Sequence, residues 1–422
     1  MSSLAKEVAD SLKQGDHLRH RHQCLRAVVT AAVLVVLLVV PARRPTKPVS
    51  AKLTFVLANP VAHGARLGAA VVEALGGVTV NLVGDTRLAD APLSRGMYHF
   101  PSLTVRSFGP SLSPAHLWRA LGLRRRTVLK ATHYQGLSQI YLEVLFVLQA
   151  VRYDFAHSWV SSLPKDHLWL ADFDRPAYCR PLIWQAKKLG RKTATLVHGS
   201  PNQNYLPPVA DQVLVWGDSQ LRWFRAASPQ SHCHVVGRPE IRKSVAPAPP
   251  RRLRVMHSME RLSETERESL VRLCAAATGW GLKCSIRPHP SLSGADLDDD
   301  WKAIAGTFRI EDGSDFWESL IPGDIVVGIN STALIDALTI GVPALTLADP
   351  ERELPCDLDN LREASIPLRA ALLRFEREPA LKRSGADIFT HPGLLELAPL
   401  LVAATGTKAA GLVRDTVAGM VA

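Results

Sequence analysis

Three short stretches hold residues whose types and spacing can do chemistry: His198-Gly199-Ser200-Pro201, Arg287-Pro288-His289-Pro290 and Asn330-Ser331-Thr332. The first closes the apolar run 193–197, so a strand would deliver an imidazole base and a hydroxyl beside a glycine whose bare backbone lets a ligand approach. The second closes another apolar run, and a guanidinium with an imidazole there suits an anionic phosphate. The third opens a helix, where backbone N–H groups and hydroxyls converge on a spot of positive potential, a second phosphate-sized site. Each stretch taken alone also fits an ordinary turn or helix cap.

Other residues compete for the same roles. Asp172-Phe173-Asp174 follows the apolar run 167–171 and spells the Asp-x-Asp pattern in which two carboxylates hold a divalent cation against a diphosphate; it equally fits a loop with a helix cap at Asp174. Glu311 can meet a ribose or a base, or simply tip a turn. His63, Gly64 and Arg66 follow the first apolar run, 52–58, as the loop of a strand-loop-helix opening.

Strands and helices must alternate to position these residues. Apolar runs and helical patterns do alternate across residues 51–245 and again across 253–405, on either side of the Pro-rich linker 246–252. The expected fold is therefore α/β, with two Rossmann-like domains facing across a cleft and ligands gathering outside the carboxyl ends of the strands. Residues 406–422 form a tail helix. Residues 1–50 are a separate arm, amphipathic over 3–14, basic over 17–22 and apolar over 27–40, ending in Pro41 and Arg43-Arg44. As a helix the apolar part reaches roughly 21 Å, short of the roughly 30 Å hydrocarbon core, so insertion at a membrane face and packing inside the first domain both remain open.

The chain has 422 residues, with 50 Lys and Arg against 39 Asp and Glu, a net charge of +11. That balance suits an anionic partner such as a nucleotide or a membrane face. Nucleic acid is not expected, because no aromatic-basic ladder or nucleic-acid module is present. Six widely spaced cysteines without a CxxC indicate neither a disulfide framework nor a zinc site, and fit a reducing cytosol.

In their order and spacing, His198-Gly199-Ser200-Pro201, Arg287-Pro288-His289-Pro290 and Gly328-Ile329-Asn330-Ser331-Thr332-Ala333-Leu334 resemble the GT-B glycosyltransferases. The nearest likeness is to capsule-polysaccharide and polysialyltransferase-like transferases and to CDP-glycerol glycerophosphotransferases, over about residues 165–347. The resemblance implies a nucleotide-sugar donor in the interdomain cleft with His289 on its phosphate and Ser331 and Thr332 capping it; Arg287, Pro290, Glu311 and Asn330 are the further donor-site candidates, and the base (CMP, CDP, UDP or GDP) is open. It implies a polysaccharide or lipid-linked acceptor near His63, Gly64, Arg66, Gly199 and Ser200, with His198 as base and Asp172 or Asp174 as substitutes. No metal and no separate cofactor are expected, since cationic side chains and helix N–H groups would hold the phosphate. The implied place is the cytoplasm at the inner face of the cell membrane. Two departures stand out: the acidic-acidic-glycine motif Glu311-Asp312-Gly313 lies in the second domain rather than the first, and Asn330-Ser331-Thr332 replaces the glycerophosphotransferases' Asp-Tyr-Ser-Ser turn. A 2-epimerase is disfavoured because no acidic pair follows a glycine turn at the Ala333 helix; an assembly partner with a degenerate transferase fold is the non-catalytic alternative.

Overall fold

Leu53-Thr54-Phe55-Val56-Leu57 is buried at every residue, as a central strand of a parallel sheet must be. It is β1 of a seven-stranded sheet with β2 (Val80–Gly84), β3 (Arg106–Ser107), β4 (Leu168–Ala171), β5 (Thr193–Leu196), β6 (Gln212–Val215) and β7 (His232–Val235). In the computed structural model the chain is described over residues 3–13, 51–57, 62–76, 80–84, 106–107, 114–124, 137–174, 179–258, 260–289, 297, 299–305, 308–311, 315–365 and 392–421. The strand order is β3-β2-β1-β4-β5-β6-β7, with every pair parallel. A second parallel sheet holds β8 (Arg252–Met256), β9 (Lys283–Arg287), β10 (Arg309–Ile310), β11 (Asp324–Gly328) and β12 (Ala344–Thr346), in the order β10-β9-β8-β11-β12.

Alternation along the strands sorts side chains to two faces. Leu53, Phe55 and Leu57 pack with Leu67 and Val71 of the Ala62–Ala74 helix and with Leu75 just after it, while Val56, Trp169 and Ala171 pack with Leu182, Ile183 and Ala186 of the Arg180–Lys188 helix. In the second sheet Leu253, Val255, Ile286, Ile325 and Val327 cover the Glu264–Gly279 helix. Its other face differs: Met256, Val326 and Ala344 join Val213, Val215, Trp216 and Phe224 of the first sheet's unit in one shared core.

The chain also returns. The Gly406–Val421 helix packs Val413 and Val417 against the first sheet's core, so the tail completes the first unit after the second is built. The return is pinned where Arg238 N–H donates to the Ala404 carbonyl at 2.8 Å. Gly237 there has φ +74°, and a Cβ on it would lie 2.2 Å from the Ala404 oxygen. Gly237→Ala should therefore cost more than the roughly 1–2 kcal/mol of left-handed backbone strain alone, seen as a lowered urea midpoint with an unchanged slope.

The helix begins at Ala62, so His63, Gly64 and Arg66 stand in its first turn and not in the loop expected for them. The apolar stretch 27–40, the basic stretch 17–22 and Pro290 lie outside the described residues. No described helix is long and apolar enough to cross a membrane.

Candidate functional site

Both strand orders reverse direction at a switch point, between β1 and β4 in the first sheet and between β8 and β11 in the second. Loops at the carboxyl ends of strands diverge there and leave a crevice for a ligand. Asp172 follows β4, His198 follows β5, Arg287 ends β9 and Asn330 follows β11, so all four lie at the carboxyl ends of strands.

His198 is half-buried. Its Nδ1 lies 2.8 Å from the Asp172 carbonyl. A carbonyl only accepts, so Nδ1 carries the proton and Nε2 is left as the nitrogen able to take one. Burial lowers the imidazole's pKa and the nearby Arg238 cation lowers it further, against the opposing pull of the Asp172 hydrogen bond. The ring is thus uncharged at pH 7. Phe173 meets it edge-on at 5.1 Å, and Tyr205 stacks on Phe173 at 4.4 Å. The preceding Val197 carbonyl is fixed by the Trp216 indole N–H at 2.7 Å.

Gly199 places this loop against the second unit. A Cβ at Gly199 would sit 3.8 Å from Thr332 Oγ1 and 3.6 Å from the Tyr205 hydroxyl, so the base-bearing loop and the Asn330-Ser331-Thr332 turn adjoin. Ser331 Oγ accepts from the Ala333 N–H at 3.3 Å at the start of the Ala333–Thr339 helix. Asn330 is held by Glu260, its amide donating at 3.0 Å. Across the sheet, Arg287 is separated from this turn by β8, about 10 Å at two strand spacings, a span that suits a diphosphate-bearing ligand. His289 is exposed just beyond β9, and partial desolvation lowers its pKa.

Several candidates have other work. Asp174 accepts the Val209 and Ala210 N–H groups, both at 2.7 Å, and braces that loop instead of forming half of a cation clamp. Asp172 meets His198 through its carbonyl. Ser200 Oγ accepts the Asp357 N–H at 2.9 Å, which caps the helical residues 356–365 and ties them to the His198 loop. Arg66 forms an ion pair with Asp315 and lies over Trp317 at 5.0 Å, which links the two units. Among the described residues no group of His, Cys, Asp or Glu converges as a metal site.

Glu311, expected near a ribose, is enclosed by cations. It accepts from Arg254, from Ser285 Oγ at 2.7 Å and from Arg287 at 3.4 Å. Burial alone would raise its pKa, but these hydrogen bonds and charges outweigh burial and hold it at about 2. It joins Arg254, its principal partner, to Arg287, whose guanidinium also lies 5.4 Å from the Phe316 ring centre. Because this pKa is depressed from the ordinary 4.5, the stabilisation is present above that value and is lost as pH falls through about 2. Glu311→Gln should lower the melting temperature at neutral pH and flatten its decline between pH 4.5 and 2, measured by thermal melts across that range.

Residues outside the motifs support the site. Asp357 is fully buried, accepts from Ser219 Oγ at 2.9 Å and Gln220 Nε2 at 2.7 Å, and burial raises its pKa against those bonds. Arg238 pairs with Glu240 and with Asp336 of the second unit, and lies 4.1 Å over Trp216. Its position was signalled: Gly237-Arg238-Pro239 ends the last strand of the first sheet, on the edge His198 occupies. Asp357 offered only a lone acid in a short helical pattern.

No protein-family model and no curated protein matches the sequence. Solved structures do. A glycosyltransferase from Rickettsia africae shares 11% identity, covers 87% of this chain and 97% of its own, and superposes with a TM-score of 0.50. Os79 from O. sativa, solved with UDP, shares 12% identity over 87% of this chain and 100% of its own at 0.49. The UDP-GlcNAc 2-epimerase from Neisseria meningitidis, bound to UDP-GlcNAc, shares 10% over 87% and 98% at 0.49. The protein has the GT-B fold, two Rossmann-like α/β domains.

Proposed function

We propose that this protein is a glycosyltransferase that moves a sugar from a nucleotide-activated donor to a hydroxyl of a cell-surface polysaccharide or lipid-linked acceptor, at the cytoplasmic face of a membrane. The observation that carries the proposal is the fixed tautomer of His198, with Nε2 as proton acceptor in a loop that abuts Thr332. Nε2 takes the acceptor hydroxyl's proton as that oxygen bonds to the anomeric carbon. The carbon–oxygen bond to the donor phosphate breaks, and the nucleotide leaves with the electron pair. Arg287 and His289 receive the charge on one side of β8, and the Ser331-Thr332 turn receives it on the other. These groups hold a phosphate without a metal ion. The resemblance to capsule-polysaccharide and polysialyltransferase-like enzymes favours a polymer as acceptor.

Thermal-shift measurements with CMP, CDP, UDP and GDP test the donor site. One of them at about a hundred times its dissociation constant should add roughly 2.7 kcal/mol of stability. If none raises the melting temperature, the degenerate-fold alternative replaces the enzyme.

A further inference from the structure

Asp357 is a fully buried acid that the proposed chemistry leaves unused. It stands in the first turn of the helical residues 356–365, which follow β12 in the second unit. One of its carboxyl oxygens accepts from Ser219 Oγ at 2.9 Å and the other from Gln220 Nε2 at 2.7 Å, both on the Asp218–Ala227 helix of the first unit. Among the described residues no Lys or Arg pairs with it, and the side chains against its carboxyl, Ser200, Ser219, Gln220 and Cys356, are all uncharged donors. A packed apolar side chain of similar size would fold at no greater cost. What the acid adds is a fixed geometry for the groups around it.

That geometry reaches the His198 loop from both sides. Before His198, the same Gln220 amide that donates to Asp357 accepts the Trp216 N–H through its oxygen at 3.0 Å, and the Trp216 indole donates to the Val197 carbonyl at 2.7 Å. After His198, the Asp357 N–H donates to Ser200 Oγ and the Cys356 N–H donates to the Pro201 carbonyl, both at 2.9 Å. The first N–H groups of a helix have no partner within it, so the loop supplies what this helix lacks. Val197, Ser200, Trp216, Gln220 and Asp357 are all buried, so water does not compete for these bonds. One residue of the second unit thus holds the chain on either side of His198, while the ring itself meets Asp172, Phe173 and Tyr205 of the first.

We propose that Asp357 is a positioning residue for His198, clasping the base-bearing loop from the second unit so that the imidazole takes its aim from the donor side. The proposal rests on the reading of His198 as the base, and its test reads the ring directly. The test is nitrogen NMR of the full chain labelled at histidine, with the His198 signals identified by their loss in His198→Ala. In the native protein Nδ1 should carry the proton, and the ring should titrate below 6.5. Asp357→Ala removes the clasp, and Gln220→Met keeps the volume of its side chain but not its hydrogen bonds. In both variants the two ring nitrogens should share the proton, and the midpoint should rise towards 6.5 as water reaches the ring. Asp172, Tyr205 and Arg238, the groups that face the ring, are unchanged in them. Asp357→Asn should stay native, since its oxygen still accepts from Gln220 and its amide can donate to the Ser219 hydroxyl. Ser200→Ala removes only the hold after His198 and supplies the same readout should either of the first two variants fail to fold. A lowered melting temperature with the tautomer and titration of His198 still native would overturn the proposal, because Asp357 would then serve the fold alone. The readout needs no substrate, so it is separate from the thermal shifts with CMP, CDP, UDP and GDP. A disturbed ring in a protein that none of the four nucleotides stabilises would keep the clasp and remove the transferase reading.

Discussion

Arg238→Met should lower the unfolding free energy by about 3–5 kcal/mol, because it leaves Glu240 and Asp336 buried without their shared cation, whereas Asp336→Asn should cost less, since Glu240 still pairs the guanidinium. The Arg238 and Asp336 side chains are 4% and 14% exposed and join the two units. Asp336 also accepts the Trp317 indole N–H at 3.0 Å, and Arg238 lies over both Trp216 and Trp317, so each substitution opens a polar network inside the shared core. Urea unfolding at pH 7 measures the loss, and a change below about 1 kcal/mol would mean that the pair is solvated. Arg238→Met/Glu240→Gln/Asp336→Leu should recover part of the loss, since neutral replacement of the cation and both carboxylates removes the stranded charge. Arg238→Met has a second consequence. The guanidinium lowers the pKa of His198, so its removal should move the acid limb of activity to higher pH.

His198→Ala should reduce sugar transfer by about 10²–10⁴-fold, the range for losing a general base, with the melting temperature close to native. A half-buried ring held at a backbone carbonyl and among aromatic edges contributes far less to folding than to proton transfer. The pH profile separates this from a binding role. Burial and Arg238 place the native imidazole's pKa below its usual 6.5, so transfer should hold as pH falls through 6.5 and decline only below it. In the alanine variant that limb should be absent. An unchanged limb in a slower variant would assign the base elsewhere, with Asp172 next in line by position.

The alternating architecture was legible because parallel strands are short apolar runs bounded by turn residues. The apolar run 52–58 loses one residue at each end to become the strand Leu53–Leu57. The Ala62–Ala74 helix was placed too late because Asn59-Pro60 and His63-Gly64 all signal a loop, while the helix starts between them. Side-chain roles were harder to foresee where partners lie far along the chain. Asp174 is satisfied by backbone 35 and 36 residues on, and Glu311 by an arginine 57 residues back, distances no local pattern encodes. The same holds for Ser200 and Asp357, 157 residues apart, and for the tail helix that returns to the first sheet. His198 is the counter-example: its orienting group is a main-chain carbonyl at the end of the neighbouring strand, which the order of β4 and β5 supplies.

A crystal structure with the nucleotide that gives the largest thermal shift tests the central claim most directly. The account predicts phosphate oxygens within hydrogen-bond reach of the Ser331-Thr332 turn or of Arg287 and His289, with His198 Nε2 facing the space beside them. A nucleotide bound away from the carboxyl ends of β8, β9 and β11 would contradict it.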